Sequence, residues 1–346
     1  MKKLALIFFL FSVGVSVKAQ DKWNTEPYLT RSLAKADIKN VFATTSAGSI
    51  SVFGGEASDA RIEVYVRPNN DRGDVSREEL KQRLEENYTL EITDNNNELH
   101  AKAKSKKYNV NWRKSVSISY KIYVPKAVAT HLNTSAGSIK LADITGEQNF
   151  ETSAGSLQVT NVSGKIKGRT SGGSINVDGS KQDIELVTSG GSIKARNCEG
   201  HINLVTSGGS LELSQLKGYI SATTSGGSID GDHISGELST STSGGSINLT
   251  QLACSVDGST SGGSIHAQLN ELGKYVKLNT SSGHIDLKLP AHKGLDLDLR
   301  GNSVNAVVGA NFQGTKEKDH VEGKLNGGGV PVTLNASSGR VNLVME

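Results

Sequence analysis

A chain of 346 residues with 38 basic and 35 acidic side chains carries a formal charge of +3, and three of its lysines fall in a leader that export would remove. The balance left behind gives no reason to propose nucleic acid or an anionic membrane surface as partner. Beyond that leader no apolar run reaches the roughly 18 residues of a membrane-crossing helix.

The leader is residues 1–19, with Lys2 and Lys3, an apolar run from Leu4 to Val17, and Val17-Lys18-Ala19 ahead of Gln20 as a small-residue cleavage site. It predicts an exported protein, placed in the periplasm, at the outer-membrane surface or in the medium. Losing Lys2, Lys3 and Lys18 takes the formal charge to 0. No lipobox cysteine follows the run, so no lipid anchor is expected. Residues 20–35 read as a lead-in, and 36–346 as one repeat domain with an insertion over 71–113.

An isolated signature, Thr45-Ser-Ala-Gly-Ser-Ile50, stands 89 residues ahead of the main array. Within the insertion Ser76-Arg-Glu-Glu79 is a capping box, and Leu80 and Leu84 share a face, so a short amphipathic helix is expected over 77–87. Tyr88–Ile92 and Leu99–Ala103 flank Asn95-Asn96-Asn97 as a hairpin. Lys102, Lys104, Lys106, Lys107, Arg113 and Lys114 would form a solvated hairpin face, with a site for an acidic polymer as the alternative. Trp23 and Trp112 both lie outside the repeats, so an aromatic anchor for a partner belongs to this N-terminal region. Val116, Ile118, Tyr120, Ile122 and Val124 then alternate as a strand ended by Pro125.

The regular array covers 134–279. Thr-Ser-[Gly/Ala]-Gly-Ser-[Ile/Leu] begins at Thr134, Thr152, Thr170, Thr188, Thr206, Thr224, Thr242 and Thr260, each 18 residues after the last. A period without slippage means one structural unit per repeat, stacked in register, since a shift of one residue would turn every strand inside out. Apolar columns recur at Ile175, Ile193, Leu211, Ile229, Ile247 and Ile265, and at Ile166, Ile184, Ile202, Ile220, Leu238 and Val256, with polar residues between them. That is strand periodicity. A third column at Val162, Cys198, Leu216, Ile234 and Leu252 precedes by two residues a glycine at 164, 200, 218 and 236, read as one turn. The second glycine of each signature, Gly137, Gly155, Gly173, Gly191, Gly209, Gly227, Gly245 and Gly263, marks the other corner, where positive φ is expected. The fold class is therefore all-β, a parallel β-solenoid of 18-residue coils, with a small α/β insertion. Eight coils at about 4.8 Å make a rod roughly 40 Å long, with Thr and Ser stacked as hydroxyl ladders at the corners.

Related architectures fail on the residues. Stepping by six from Ile193 meets Glu199 before Val205 and Leu211, so a hexapeptide helix loses one aliphatic position in three. Calcium-binding repeats need an Asp in each Gly-rich turn, and these signatures have none. Past the array the step widens to 20 residues at Thr280-Ser-Ser-Gly-His-Ile285, and a degenerate copy stands at Ala336-Ser-Ser-Gly-Arg-Val341. The 56 residues from Thr280 to Ala336 equal three coils plus two residues. Insertion and C-terminal coils are expected to cap the rod ends.

The strand pair around Thr45, the strand from Tyr120 to Pro125, the Thr-Ser-Gly-Gly-Ser-Ile array, and the closing Asn326-Gly-Gly-Gly and Ala336-Ser-Ser-Gly-Arg-Val together resemble the putative-adhesin β-strand-repeat family of exported bacterial proteins, over residues 36–346. The resemblance implies a β-solenoid without an established biochemical activity. Val17-Lys18-Ala19-Gln20 also resembles export signals common in the Bacteroidetes, which implies a Gram-negative envelope.

Chemistry is scarce. A solenoid enzyme collects acids or bases in one column of neighbouring coils, whereas here the position eight past each Thr reads Thr160, Asp178, Arg196, Ser214, Asp232 and Thr250. Asp230, Asp232 and His233 form the one carboxylate and imidazole cluster suited to acid-base work or a metal, and solubility is the plainer reading of it. His266 and His284, in adjacent coils, are a weak metal candidate. The signatures lack both a following helix and a Gly-Lys-Ser/Thr element, so they are turns and not phosphate loops. The Ser/Thr ladder as an ice- or glycan-facing plane is disfavoured by its place at a corner. Cys198 and Cys254 lie three coils apart, about 14 Å by strand spacing, against roughly 7 Å for bridged Cα atoms. Both are expected as buried free thiols. Neither metal nor cofactor is expected. Two classes remain: a non-enzymatic envelope or surface rod that binds a glycan or protein partner, and a carbohydrate-active enzyme on a solenoid.

Overall fold

Side-chain alternation builds the coil. In Lys181–Thr188 the residues Ile184, Leu186 and Thr188 are buried and their neighbours face out, and the same pattern recurs in Glu199–Val205 and Lys217–Thr223. The computed structural model describes residues 26–69, 75–106 and 114–346. The expected leader, Trp23 and Trp112 lie outside them, as do Lys107 and Arg113.

Each coil supplies two strands, one on either side of its signature. The leading strands stack in parallel with Ile166 beside Ile184 and Ile184 beside Ile202. The trailing strands stack likewise, Ile175 beside Ile193 and Ile193 beside Leu211. Two continuous ladders result, with the apolar columns of both turned inward. The third column closes the core, since Val162, Cys198, Leu216, Ile234 and Leu252 are all at most 1% exposed. Burying each Leu or Ile stabilises the fold by about 1.5–3 kcal/mol relative to leaving it in water. Size is matched between coils: a Cβ on Gly168 would come 2.5 Å from the ring of Phe150, so the large side chain occupies the space its neighbour vacates.

The corners differ from expectation in their cause. Gly137, Gly155, Gly173, Gly191, Gly209, Gly227, Gly245 and Gly263 stand at bends, yet none has positive φ. What requires glycine is the neighbouring coil: a Cβ at Gly191 would lie 2.1 Å from the carbonyl oxygen of Gly173, and the same contact recurs along the rod. The preceding residue is roomier, with nothing closer than 3.5 Å to a Cβ at Gly190, which explains why Ala136 and Ala154 are accommodated in that column. At the second corner two residues take positive φ. The glycine at 164, 200, 218 or 236 has φ between 107° and 128°, and a few residues before that position Asn161, Asn197, Gln215, His233 or Gln251 stands at 52° to 54°, a region where Asn is the least strained of the larger residues. The glycines that follow belong to the leading strands. Gly200 combines φ of 128° with a virtual Cβ only 2.2 Å from the carbonyl of Gln182.

The signature threonines lie inside the rod and not on its surface. Thr188, Thr206 and Thr224 are at most 2% exposed. Each donates its hydroxyl to the glycine carbonyl of the previous coil, as Thr206 Oγ1 does to Gly191 at 2.8 Å. The same oxygen accepts the N–H of the glycine three residues on, as from Gly209 at 3.3 Å. Backbone groups stranded by the bend are thereby satisfied. Burial also removes the threonine column from any ice- or glycan-facing plane.

Both ends close by a detour. Thr45 pairs with Thr134 and Ile50 with Ile139, so the early copy stacks directly on the array. Glu98–Ser105 and Val116–Pro125 then form the terminal coil outside it. That coil is covered by antiparallel Tyr88–Asn95 on one ladder and Arg61–Pro68 on the other. The helix Arg77–Asn87 buries Leu80 and Leu84 here, and Ser76 Oγ accepts the Glu79 N–H at 3.1 Å. At the other end the three-coil expectation is overturned. Thr280 pairs with Ala336 and Ile285 with Val341, so the last copy stacks immediately on its predecessor. Leu295–Ala306 lies beyond it, followed by antiparallel His320–Leu325 and Phe312–Lys316. The chain overshoots, turns back and slots its final strand inside. Each end thus finishes in antiparallel strands that break the parallel template another chain would extend.

Candidate functional site

The trailing ladder carries the expected acidic cluster. Asp230 and Asp232 alternate outward on Ile229–Asp232, and His233 follows at the left-handed corner. Asp232 takes a hydrogen bond from His233 Nδ1 at 2.6 Å and another from Thr250 Oγ1 at 2.9 Å. Those bonds, His233 first, hold its carboxyl below the usual carboxylate range. Asp230 accepts from Asn248 Nδ2 at 2.8 Å. Each carboxylate is therefore tied to the next coil, and Asp232, kept ionised, has no proton to give as a general acid. Arg196, Glu212 and Ser214 border the same shallow hollow of roughly 530 Å³.

The two histidines weighed as a metal pair have separate partners. His266 Nδ1 faces Asp286 at 3.0 Å, while His284 Nδ1 accepts the Arg340 N–H at 3.2 Å. Among the described residues no group of three or more His, Cys, Asp or Glu side chains is placed to hold a metal. Cys198 and Cys254 are buried and unbridged, and burial pushes their thiols up to about 11 and about 12. Lys102 and Lys104 are exposed on the hairpin, and Lys106 Nζ donates to the Glu85 carbonyl at 2.6 Å. No helix among the described residues is long and apolar enough to cross a membrane.

Aromatic side chains mark two other places. At the N-terminal end Phe42 stacks between His100 and His131, at 4.7 and 4.9 Å, on the outside of the leading ladder. On the trailing ladder Phe53 stacks on Tyr123, whose other contact is the Arg61 guanidinium 3.8 Å above the ring. Glu63 ties this group together. Burial alone would raise its pKa, but hydrogen bonds from Arg61 and Tyr65 outweigh that and leave it lowered.

The second place is mid-rod. Two outward columns of the leading strands enclose a furrow of roughly 500 Å³ parallel to the rod axis. His201, Tyr219 and Glu237 form one wall, with Asn203, Ser221 and Ser239 opposite. Tyr219 is 57% exposed and stacks on His201 at 5.3 Å with ring planes 15° apart. The two lysines of the furrow are paired, Lys165 with Glu147 at 3.3 Å and Lys167 with Glu185 at 3.2 Å, and Asp183 lies 3.4 Å from His201 Nδ1. Glu237 accepts the Tyr275 hydroxyl at 3.0 Å. This surface is absent from the sequence reading. Its signal was the fixed spacing of Asp183, His201, Tyr219 and Glu237, 18 residues apart.

A family model described as Toastrack DUF4097 matches residues 38–232 and again 230–344. Among solved structures, a putative cell adhesion protein from Clostridium sporogenes is 11% identical, covering 92% of this chain and 98% of its own, with a TM-score of 0.18. A putative adhesin from Bacteroides fragilis is 12% identical, covering 91% and 96%, with a TM-score of 0.21. With scores this low neither likeness bears on the reading of this chain. No curated protein matches it significantly.

Proposed function

The chain belongs to the Toastrack DUF4097 family, and from that premise we propose that it is a non-enzymatic rod of the bacterial envelope or cell surface that holds out a recognition face. One observation carries this reading. The repeat devotes its specified positions to stacking, through the buried Thr to Gly bonds such as Thr206 to Gly191, and ties the Asp230 and Asp232 carboxylates to the next coil through Asn248 and Thr250. Export rests on the leader at residues 1–19. The partner is an envelope component, a surface glycan or a protein, met by an outer ladder face or by the N-terminal end.

Fractionation of the producing cell tests the reading. The mature chain should start at Gln20 and appear in the periplasmic, outer-membrane or secreted fraction, bound to an envelope component that co-purifies with it. Full-length chain in the cytoplasm would refute it.

A further inference from the structure

We propose that the furrow around Tyr219 binds a neutral, extended polysaccharide lying along the rod axis. This deepens the reading above and rests on it. From Lys165 to Glu237 the furrow crosses four inter-coil steps, about 19 Å at strand spacing. That step is close to the length a hexopyranose adds to an extended chain, so successive coils meet successive sugars with the same column of side chains.

The lining selects the occupant. A sugar ring presents apolar C–H faces and a rim of hydroxyls, which calls for an aromatic surface beside small donors and acceptors. Tyr219 supplies the ring, held upright by His201 behind it. Asn203, Ser221 and Ser239 are exposed on the opposite wall, where their side chains point at the bound chain's hydroxyl rim. Charge argues against the other polymers. Two lysines, Lys165 and Lys167, and three carboxylates, Asp183, Glu185 and Glu237, line the furrow, and both lysines are already paired, with Glu147 and Glu185, so neither a polyanion nor a polycation gains a strong net attraction there without breaking existing contacts.

The test is affinity electrophoresis of the mature full chain through gels containing hydroxyethylcellulose, laminarin or galactomannan, with alginate as the charged comparison, at about 0.15 M salt. At least one neutral polymer should retard the protein. Tyr219→Ala should weaken that association about tenfold, the scale of one lost aromatic anchor, whereas Tyr219→Phe keeps it. Lys194→Ala, on the trailing ladder, should change nothing. For the retarding polymer, affinity for its oligosaccharides should rise with length and level off at about four or five sugars, the span of the furrow. Retardation by alginate alone, by no polymer, or to the same extent with Tyr219→Ala would overturn the proposal. Binding to isolated envelopes that survives Tyr219→Ala would also overturn it, and would leave the rod reading standing.

Discussion

Gly209→Ala isolates the contact that makes the period rigid. The new methyl carbon would sit 2.1 Å from the carbonyl oxygen of Gly191, so the two coils must part by about 1 Å to restore van der Waals separation. Overpacking of that kind costs roughly 1–3 kcal/mol. Parting also stretches the buried bond that spans the same two coils, from Thr206 Oγ1 to the Gly191 carbonyl at 2.8 Å. Losing it adds about 1–3 kcal/mol, for a total of about 2–6 kcal/mol. The adjacent residue is the control. A Cβ at Gly208 has its nearest atom at 3.6 Å, so Gly208→Ala should fall within about 0.5 kcal/mol of the parent. Because stacked coils open locally, peptide-resolved hydrogen exchange is the assay, with urea denaturation beside it. Gly209→Ala should lose protection in the coils from Thr188 to Ser241 and unfold at lower urea. Equal behaviour of the two variants would refute the close-approach explanation.

Thr206→Val removes the donor to Gly191 and the acceptor for Gly209; it should lower stability by about 2 kcal/mol or more in urea denaturation, with Thr206→Ser recovering most of the loss. The raised thiol pKa values of about 11 for Cys198 and about 12 for Cys254 mean that folding disfavours both thiolates. Their contribution is full below the unfolded thiol pKa of about 8.5 and is lost as pH rises toward the folded values. Stability should therefore decline above about pH 8.5 and less so in Cys198→Val, while thiol reagents at neutral pH should find none in the native protein and two per chain after denaturation. Deleting Thr206 to Thr223, one 18-residue coil, should leave a folded, shorter rod by circular dichroism and scattering. Deleting nine residues should not.

What could be read from the sequence was whatever repeats within one coil. Ile184 and Ile202 betray themselves by alternation and period, and Ser76 with Glu79 announces a helix start. What escaped depends on contacts between coils. Gly191 and Gly190 look equivalent until the carbonyl of Gly173 is seen beside one of them, although Ala136 and Ala154 had already hinted at the difference. The closing order, with Ala336 beside Thr280, is invisible because chain order and stacking order part company there. The Tyr219 furrow was hidden for a related reason: outward positions carry no core pattern, and His201 and Tyr219 become one surface only when the coils are stacked.

The distinction between a binding rod and an enzyme is met most directly by counting new reducing ends. Mature protein would be incubated for hours with envelope polysaccharide and with the neutral polymers it retains, beside a variant carrying Asp230→Asn, Asp232→Asn and His233→Ala. The expected result is no release above the blank and equal retention of both proteins on the polymer. Reducing ends that accumulate with the parent and vanish with the variant would contradict the rod and place an active site on the trailing ladder.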